Sequence, residues 1–289
     1  MRGNKVKISV VVPVYNAETY IEGCIRALLS QNYPVDHYEI IMVDNNSKDC
    51  SPGIIKRYPD IKYLKRNKQG SYAARNKGIL QAKGEIIAFT DADCAPSVDW
   101  LRNIENAFRH PEISVILGRN QFASDSHILS MLTRYEAAKA TYAFSGDDKT
   151  IYYGYTNNMA TRKKLFNRVG LFSEISRGAD VIFVRRVVDG YSHDTVRYFR
   201  NINVRHLEIS NQYVYFRKQY IYGKSYKSYN KIKSARALTT AERLKVFKAT
   251  CKTNHYSLTK SCLLFFVLII GAICYELGRK GGLLNNETR

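Results

Sequence analysis

The sequence predicts an α/β protein: a three-layer α/β/α arrangement on a mostly parallel central sheet, followed by a basic helical region and an apolar tail helix. Three observations predict it. Strand and helix patterns alternate through the first 120 residues. The strand segments are continuous aliphatic runs, as in strands covered on both faces. Polar clusters follow the first, second and fourth strands, where ligands bind in such sheets.

The elements follow in order. Lys7–Val14 (KISVVVPV) is the first strand, and Glu18–Ser30 has helical spacing with Ile21, Ile25, Leu28 and Leu29 on one face. Tyr38–Val43 is the second strand, ended by the polar cluster Asp44–Asp49. Ile61–Leu64 is a short third strand and Ser71–Ala82 a helix. Glu85–Thr90 is the fourth strand, with Asp91 directly after it. Val98–Phe108 is a helix and Ile113–Leu117 a fifth strand. Beyond this point the periodicity is mixed. Ser126–Tyr142, Lys163–Val169 and Asp180–Asp189 read as helices, and Tyr152–Ala160 as an edge strand.

Composition bounds the function. At 289 residues, 45% hydrophobic and 24% charged, the chain buries a core without disulfides, and disorder, collagen and coiled coil are excluded as its main state. None of the six cysteines has the CxxC spacing of a structural zinc site. A net charge of +20 calls for an anionic partner. Arg200–Lys260 alone carries 14 basic and 2 acidic residues, interleaved with tyrosines, and Arg217-Lys218 with Tyr220–Lys233 reads as a face for lipid headgroups or lipid phosphate, or as an ordinary solvated face. Cys262–Tyr275 (CLLFFVLIIGAICY) is apolar throughout, shorter than the roughly 20 residues of a bilayer span. Widened to residues 258–278 it spans, dips into the membrane or packs on a partner helix.

Several constellations could carry chemistry. In Thr90-Asp91-Ala92-Asp93 two carboxylates leave a buried strand two residues apart, and in extended geometry they share a face. Hard oxygen ligands so placed suit Mg²⁺ or Mn²⁺; the competing reading is a turn and helix cap. Asp44 ends the second strand, where it either accepts from a nucleobase N–H or closes an Asx turn. Pro13 shapes the exit of the first strand, and Tyr15 lines a pocket or the core. Gly70–Gly78 opens a helix with small residues whose backbone N–H groups suit phosphate, and Arg75 offers anions a bidentate fork.

The series VVPVYNAE, VDNNSKD, GSYAARNKGI and GEIIAFTDADC, in this order and spacing, resembles the family 2 glycosyltransferases, over at least residues 7–206. The resemblance implies the GT-A fold and inverting transfer from a nucleotide-sugar donor. It implies that Pro13, Tyr15 and Glu18 belong to the donor pocket, Asp44 to the nucleobase, Arg75 to the nucleotide and diphosphate, Asp91 and Ala92 to the ribose region, and Asp93 to the metal, Mn²⁺ or Mg²⁺. The family's base opens a helix and precedes an apolar stretch with an arginine; Asp180 in GADVIFVRR matches it, with Ala179 where an acid is common. Asn157 and Asn158 fall on the acceptor side, where sugar bonding and packing are both open. His206 falls where some relatives place a histidine near the metal.

The expected organisation is a catalytic domain over 1–206 (donor half 1–120, acceptor half 121–206), a basic Tyr-rich helical region over 207–260 and an apolar helix and tail over 261–289. The expected partners are a nucleotide-diphosphate sugar and a glycan or lipid-linked acceptor, at the cytoplasmic face of the cell membrane. Nucleic acid is not an expected partner, because the basic stretch carries no RNA- or DNA-binding signature. The alternatives are a nucleotide-binding or nucleotidyltransferase-like relative on the same fold, or a basic nucleic-acid-binding protein.

Overall fold

The first strand, β1 (Ile8–Val14), forms where β-branched residues are stacked, and six of its seven residues are buried. It lies between β2 (Tyr38–Asp44) and β4 (Ile86–Thr90), parallel to both, and β3 (Ile61–Lys65) extends the parallel half beyond β2. The computed structural model describes residues 6–122, 126–225 and 236–284. Among these the sheet runs β3-β2-β1-β4-β7-β6-β8-β5, where β5 is Cys94–Pro96, β6 Val115–Phe122, β7 Asn158–Arg162 and β8 Val196–His206.

Two expectations need correction. The sheet is parallel only through its β3-β2-β1-β4 half; β7 runs antiparallel to β4 and β6, and β5 antiparallel to β8. Of the edge strand expected over Tyr152–Ala160, only residues 158–160 lie in a strand, β7, and that strand is central, between β4 and β6, with four of its five residues buried.

Alternation along β1 divides the layers. Val10, Val12 and Val14 face a core shared with Ile21, Ile25 and Leu28 of α1 (Ile21–Leu29) and Trp100, Leu101 and Ile104 of α4 (Trp100–Ala107). Val11 faces the other side, where Gly78 of α3 (Ser71–Gln81) lies so close that an added Cβ would stand 2.4 Å from its Cγ1. A short helix, α2 (Ser51–Lys56), precedes β3, with Pro52 in its first turn, where proline suits a helix.

The chain divides into two compact units: Met1–Asn120 with Tyr152–Leu207, and Gln121–Ile151 with Glu208–Arg289. The first holds the sheet's core, α6 (Phe166–Val169) and α7 (Ala179–Gly190). In the second, α5 (His127–Ser145), α8 (Gln212–Lys224), α9 (Thr240–Thr253) and α10 (Leu258–Leu284) pack through two apolar clusters around Leu129, Tyr215 and Val267, and around Met131, Val246 and Leu264. A capping box starts α9: the Thr239 hydroxyl accepts from the Glu242 N–H, and Glu242 reaches back to the Thr239 N–H. Of the Tyr220–Lys233 face, residues 226–233 lie outside the described residues.

Candidate active site

The loops after β1 and β2 are laced together. The Asn45 N–H donates to the Val14 carbonyl (2.7 Å), the Asn16 N–H to Ser47 Oγ (3.1 Å), and the Lys48 N–H to Asn16 Oδ1 (2.9 Å). Asn16 and Asn46 take positive φ values of 46° and 66°, which asparagine tolerates in turns. Glu18 is part of this lacing: its Oε2 accepts from the Cys50 N–H (2.9 Å) and its own N–H donates to Asp49 (2.9 Å). Pro13 lies beyond the last β1–β4 pair, Val11 with Phe89, so its missing N–H breaks no bond on that side. Tyr15, 46% exposed, is not a core residue; it stands at the mouth of these loops.

Asp44 is buried at the end of β2. Its Oδ1 accepts from the Ser47 N–H (3.0 Å), so the Asx turn is formed, and its Oδ2 accepts from the Tyr63 hydroxyl (3.3 Å). The Gly70 N–H, just before α3, donates to Asn45 Oδ1 (2.9 Å) and ties the start of that helix to the β2 loop.

On α3, Tyr72, Arg75 and Asn76 share the buried side. The guanidinium of Arg75 donates through Nη2 to Asp91 Oδ1, and it lies 5.4 Å from the centre of the Tyr72 ring. Its buried Nε has no hydrogen-bond partner among the described residues. Asn76 clasps the backbone of Phe172, donating to its carbonyl (2.8 Å) and accepting from its N–H (3.1 Å). Phe172 in turn packs against Phe89, Phe166 and Phe183. This aromatic cluster fixes the segment leading into α7.

Asp180 lies in the first turn of α7, after Gly178, whose φ of 86° belongs to the left-handed region. At Gly154 any Cβ would stand 2.4 Å from the Asp180 carbonyl oxygen, so that close approach needs glycine. The Asp180 carboxylate accepts from the Val181 N–H (2.9 Å) and from the Tyr72 hydroxyl. Burial pushes its pKa above the ordinary value; the Tyr72 hydrogen bond and the charge of Arg75 oppose that shift without cancelling it. Burial and the Asp180 charge raise the Tyr72 phenol, keeping it a donor. Tyr72 was not singled out from sequence; its place three residues before Arg75, on the same helix face, is the signal that finds it.

Asp91 and Asp93 do not share an extended face. Residues 91–94 form a turn closed by the Cys94 N–H on the Asp91 carbonyl (3.0 Å), so the carboxylates part. Asp91 turns to Arg75. Asp93 turns to His206 at the end of β8, with Oδ2 3.5 Å from Nε2. Ala92 between them buries its methyl in the core, leaving its backbone for any ligand. Ligand atoms of Asp93, Cys94 and His206 lie within 4.8 Å of one another, close enough to hold one ion. Burial, then the charges of Asp93 and Asp91, push the Cys94 thiol up, and a soft sulfur suits Mn²⁺ less than oxygen or imidazole does. Oxygen from Asp93 and nitrogen from His206 remain as a donor pair of the kind Mn²⁺ accepts.

The acceptor-side asparagines part company. Asn157 is half-buried; its carbonyl accepts from Thr90 Oγ1 (3.1 Å) and its Oδ1 from Asn120 (3.2 Å). Asn158 is fully buried, and its amide is spent. Its Nδ2 donates to the Arg119 and Ile202 carbonyls (2.9 Å each), and its Oδ1 accepts from Trp100 Nε1 (2.9 Å). Both amide hydrogens of Asn158 are thus used inside the protein, which matches the packing role of the two that the sequence left open.

Residues 9–180 match the family model described as glycosyl transferase family 2. The chain belongs to that family. Similar proteins include the glycosyltransferase AglE of Haloferax volcanii, 32% identical over 216 residues, a match covering 65% of this chain and 65% of that protein. The chain thus spans less than two thirds of that relative. Solved glycosyltransferase structures share the fold. A mannosyltransferase from Pyrobaculum calidifontis in complex with GDP-Man and Mn²⁺ superposes with a TM-score of 0.61 at 19% identity, over 97% of this chain and 85% of that one. Staphylococcus aureus TarS 1–349 in complex with UDP-GlcNAc does so at 0.57 and 16% identity, over 97% and 92%. The GT-A fold expected from the family resemblance is borne out at that level.

Proposed function

We propose that the chain is an inverting glycosyltransferase that moves a sugar from a nucleotide-diphosphate donor to an acceptor hydroxyl in cell-surface polysaccharide or glycolipid synthesis. The observation that carries this is the meeting of Arg75, Asp91 and Asp180 around Tyr72, because these residues come from three separate sequence blocks. The solved neighbours hold GDP-Man in one case and UDP-GlcNAc in another, so they support a nucleotide-sugar donor without choosing its base.

In this reading Tyr15 and the laced loop around Glu18 and Asp44 bind the nucleoside. Asp44 keeps lone-pair capacity beyond its two bonds. Arg75 holds the diphosphate side of the donor, oriented by Asp91. Asp180 accepts the proton of the attacking hydroxyl; its raised pKa makes it a better base than an exposed carboxylate. Tyr72 fixes the direction of that carboxylate. A divalent cation, Mn²⁺ or Mg²⁺, would be held by Asp93 with His206, and when bound it supplies positive charge to the leaving diphosphate. Asn157 remains the acceptor-side candidate. One base is enough, because the donor's leaving group is already activated. The working location is the cytoplasmic face of a membrane, supported by the basic stretch and the apolar helix of the second unit.

The test is thermal stabilisation by a panel of nucleoside diphosphates, with and without Mn²⁺. A metal-dependent shift with one nucleotide supports the donor and cation sites together. No shift with any nucleotide, in a folded sample, would sink the donor assignment.

A further inference from the structure

The helix α10 is apolar on two sides, and among the described residues only one of them is covered. Leu264, Val267, Gly271 and Gly278 are buried against the other helices of the second unit. On the opposite side Phe266, Ile269, Ile270, Ile273 and Leu277 are exposed, with Phe266 61% and Leu277 56% accessible. Their spacing of i, i+3, i+4, i+7 and i+11 makes one continuous stripe. A 24-residue stretch, Leu258–Gly281, is long enough to cross a bilayer, so length alone does not say how the stripe meets lipid.

Packing decides it. The helix α8 runs along α10 in intimate contact: a Cβ on Gly223 would stand 2.0 Å from the Tyr275 carbonyl oxygen, and one on Gly278 2.0 Å from that of Tyr220. That partner helix carries Arg217, Lys218, Gln219 and Lys224, and Lys218 pairs with Glu208 at 2.5 Å. The other neighbour, α9, exposes Lys245, Lys248 and Lys252, and its Phe247 meets Phe265 of α10 at 5.8 Å. A bilayer span by α10 would drag these charges into hydrocarbon, or strip off the helices that cover its buried side.

We propose that α10 lies in the plane of an anionic membrane surface, its exposed stripe sunk into the acyl boundary, and does not span. An interfacial helix needs an apolar face, flanking cations and aromatic residues at headgroup level. Lys260 and Lys280 are exposed near the two ends of the stripe, and Tyr213, Tyr220 and Tyr222 are exposed on α8. Residues 208–289 hold 15 Lys and Arg against four Asp and Glu, a charge that anionic headgroups complement and a second copy of this chain would repel. This placement rests on the membrane location proposed above, and the two fail differently in the test.

The full chain is mixed with vesicles of phosphatidylcholine, with and without phosphatidylglycerol. Tryptophans are introduced singly as F266W, I270W, I273W and L277W; the native Trp100 is fully buried and gives a constant background. The expected result is binding to the anionic vesicles. Brominated lipids should quench all four tryptophans from the same shallow depth. Ile270→Glu, an exposed change, should weaken vesicle binding by about tenfold or more and leave the nucleotide-dependent melting shift unaltered. Depth that passes through the bilayer centre between positions 266 and 277 would overturn the in-plane helix and keep the membrane location. No binding to either vesicle would remove the location itself. Vesicle-free dimers with blue-shifted tryptophans would show a second copy on the stripe and overturn the placement too.

Discussion

Two polar networks are buried in the first unit, and they differ in how completely they are satisfied. In the first, Asn158 donates twice to backbone carbonyls and accepts from Trp100. In the second, Arg75 holds Asp91 and faces Asp180 while its Nε has no partner among the described residues, and Asp180 keeps a raised pKa. A fully satisfied network holds the fold; an incompletely satisfied one is ready to take a charged ligand or a proton. The neighbours Asn157 and Asn158 show how little sequence separates the two situations.

The largest effect is expected where the open network carries chemistry. Asp180→Asn should lower transfer by about 10²–10⁴-fold, the usual worth of a positioned general base. Donor binding, read by the nucleotide-dependent melting shift, should persist. Retained transfer would sink the base assignment. Arg75→Lys comes next. It keeps the charge but loses the planar fork that serves Asp91 and a diphosphate together, so transfer should fall by about 10²-fold with weaker nucleotide binding. Unchanged kinetics with the lysine would reduce Arg75 to a structural counter-ion.

The closed network should answer in the opposite currency. Asn158→Ala strands Trp100 Nε1–H and two backbone carbonyls. Each buried unsatisfied group costs about 1–3 kcal/mol, so roughly 2–4 kcal/mol of stability should be lost, allowing for relaxation. Chemical denaturation measures it, and activity per folded molecule should stay near wild type. A loss of turnover in a fully folded variant would return Asn158 to the acceptor site.

Much of this was legible in the sequence. The strand runs of β1, β2 and β4 could be read because they are buried on both faces, and their polar ends marked Asp44 and Asp91. The helix bearing Asp180 showed in the GADVIFVRR pattern. What was not legible depends on pairing. β8, VRYFRNINVRH, mixes exposed and buried residues along an 11-residue strand, so no period of two stands out. β5 is three residues long and exists because β8 pairs with it. The central place of β7 follows from sheet order, which one-dimensional spacing does not encode. Asp91 and Asp93 were expected to act as a pair on one face; a backbone turn separates them, and each finds a different partner.

The smallest effect is a pH dependence, and it sharpens the contrast between networks because Asn158 cannot titrate. Burial holds the Asp180 proton more tightly in the native state than in the unfolded chain, even against Arg75 and Tyr72. The base is therefore protonated and idle at low pH. Transfer should rise by about tenfold per pH unit until the carboxyl ionises, above the usual carboxylate range, and then level off. Stability moves the other way. The contribution from the bound proton is fully present below the unfolded pKa and is lost as pH rises through the higher folded value. Asp180→Asn keeps an amide in place of the carboxylate and has nothing to ionise. At neutral pH it should melt higher than wild type, as thermal unfolding would show. A variant that is less active and also less stable at neutral pH would mean that the carboxylate is well paired in the native state, and the pH limb would have to come from another group.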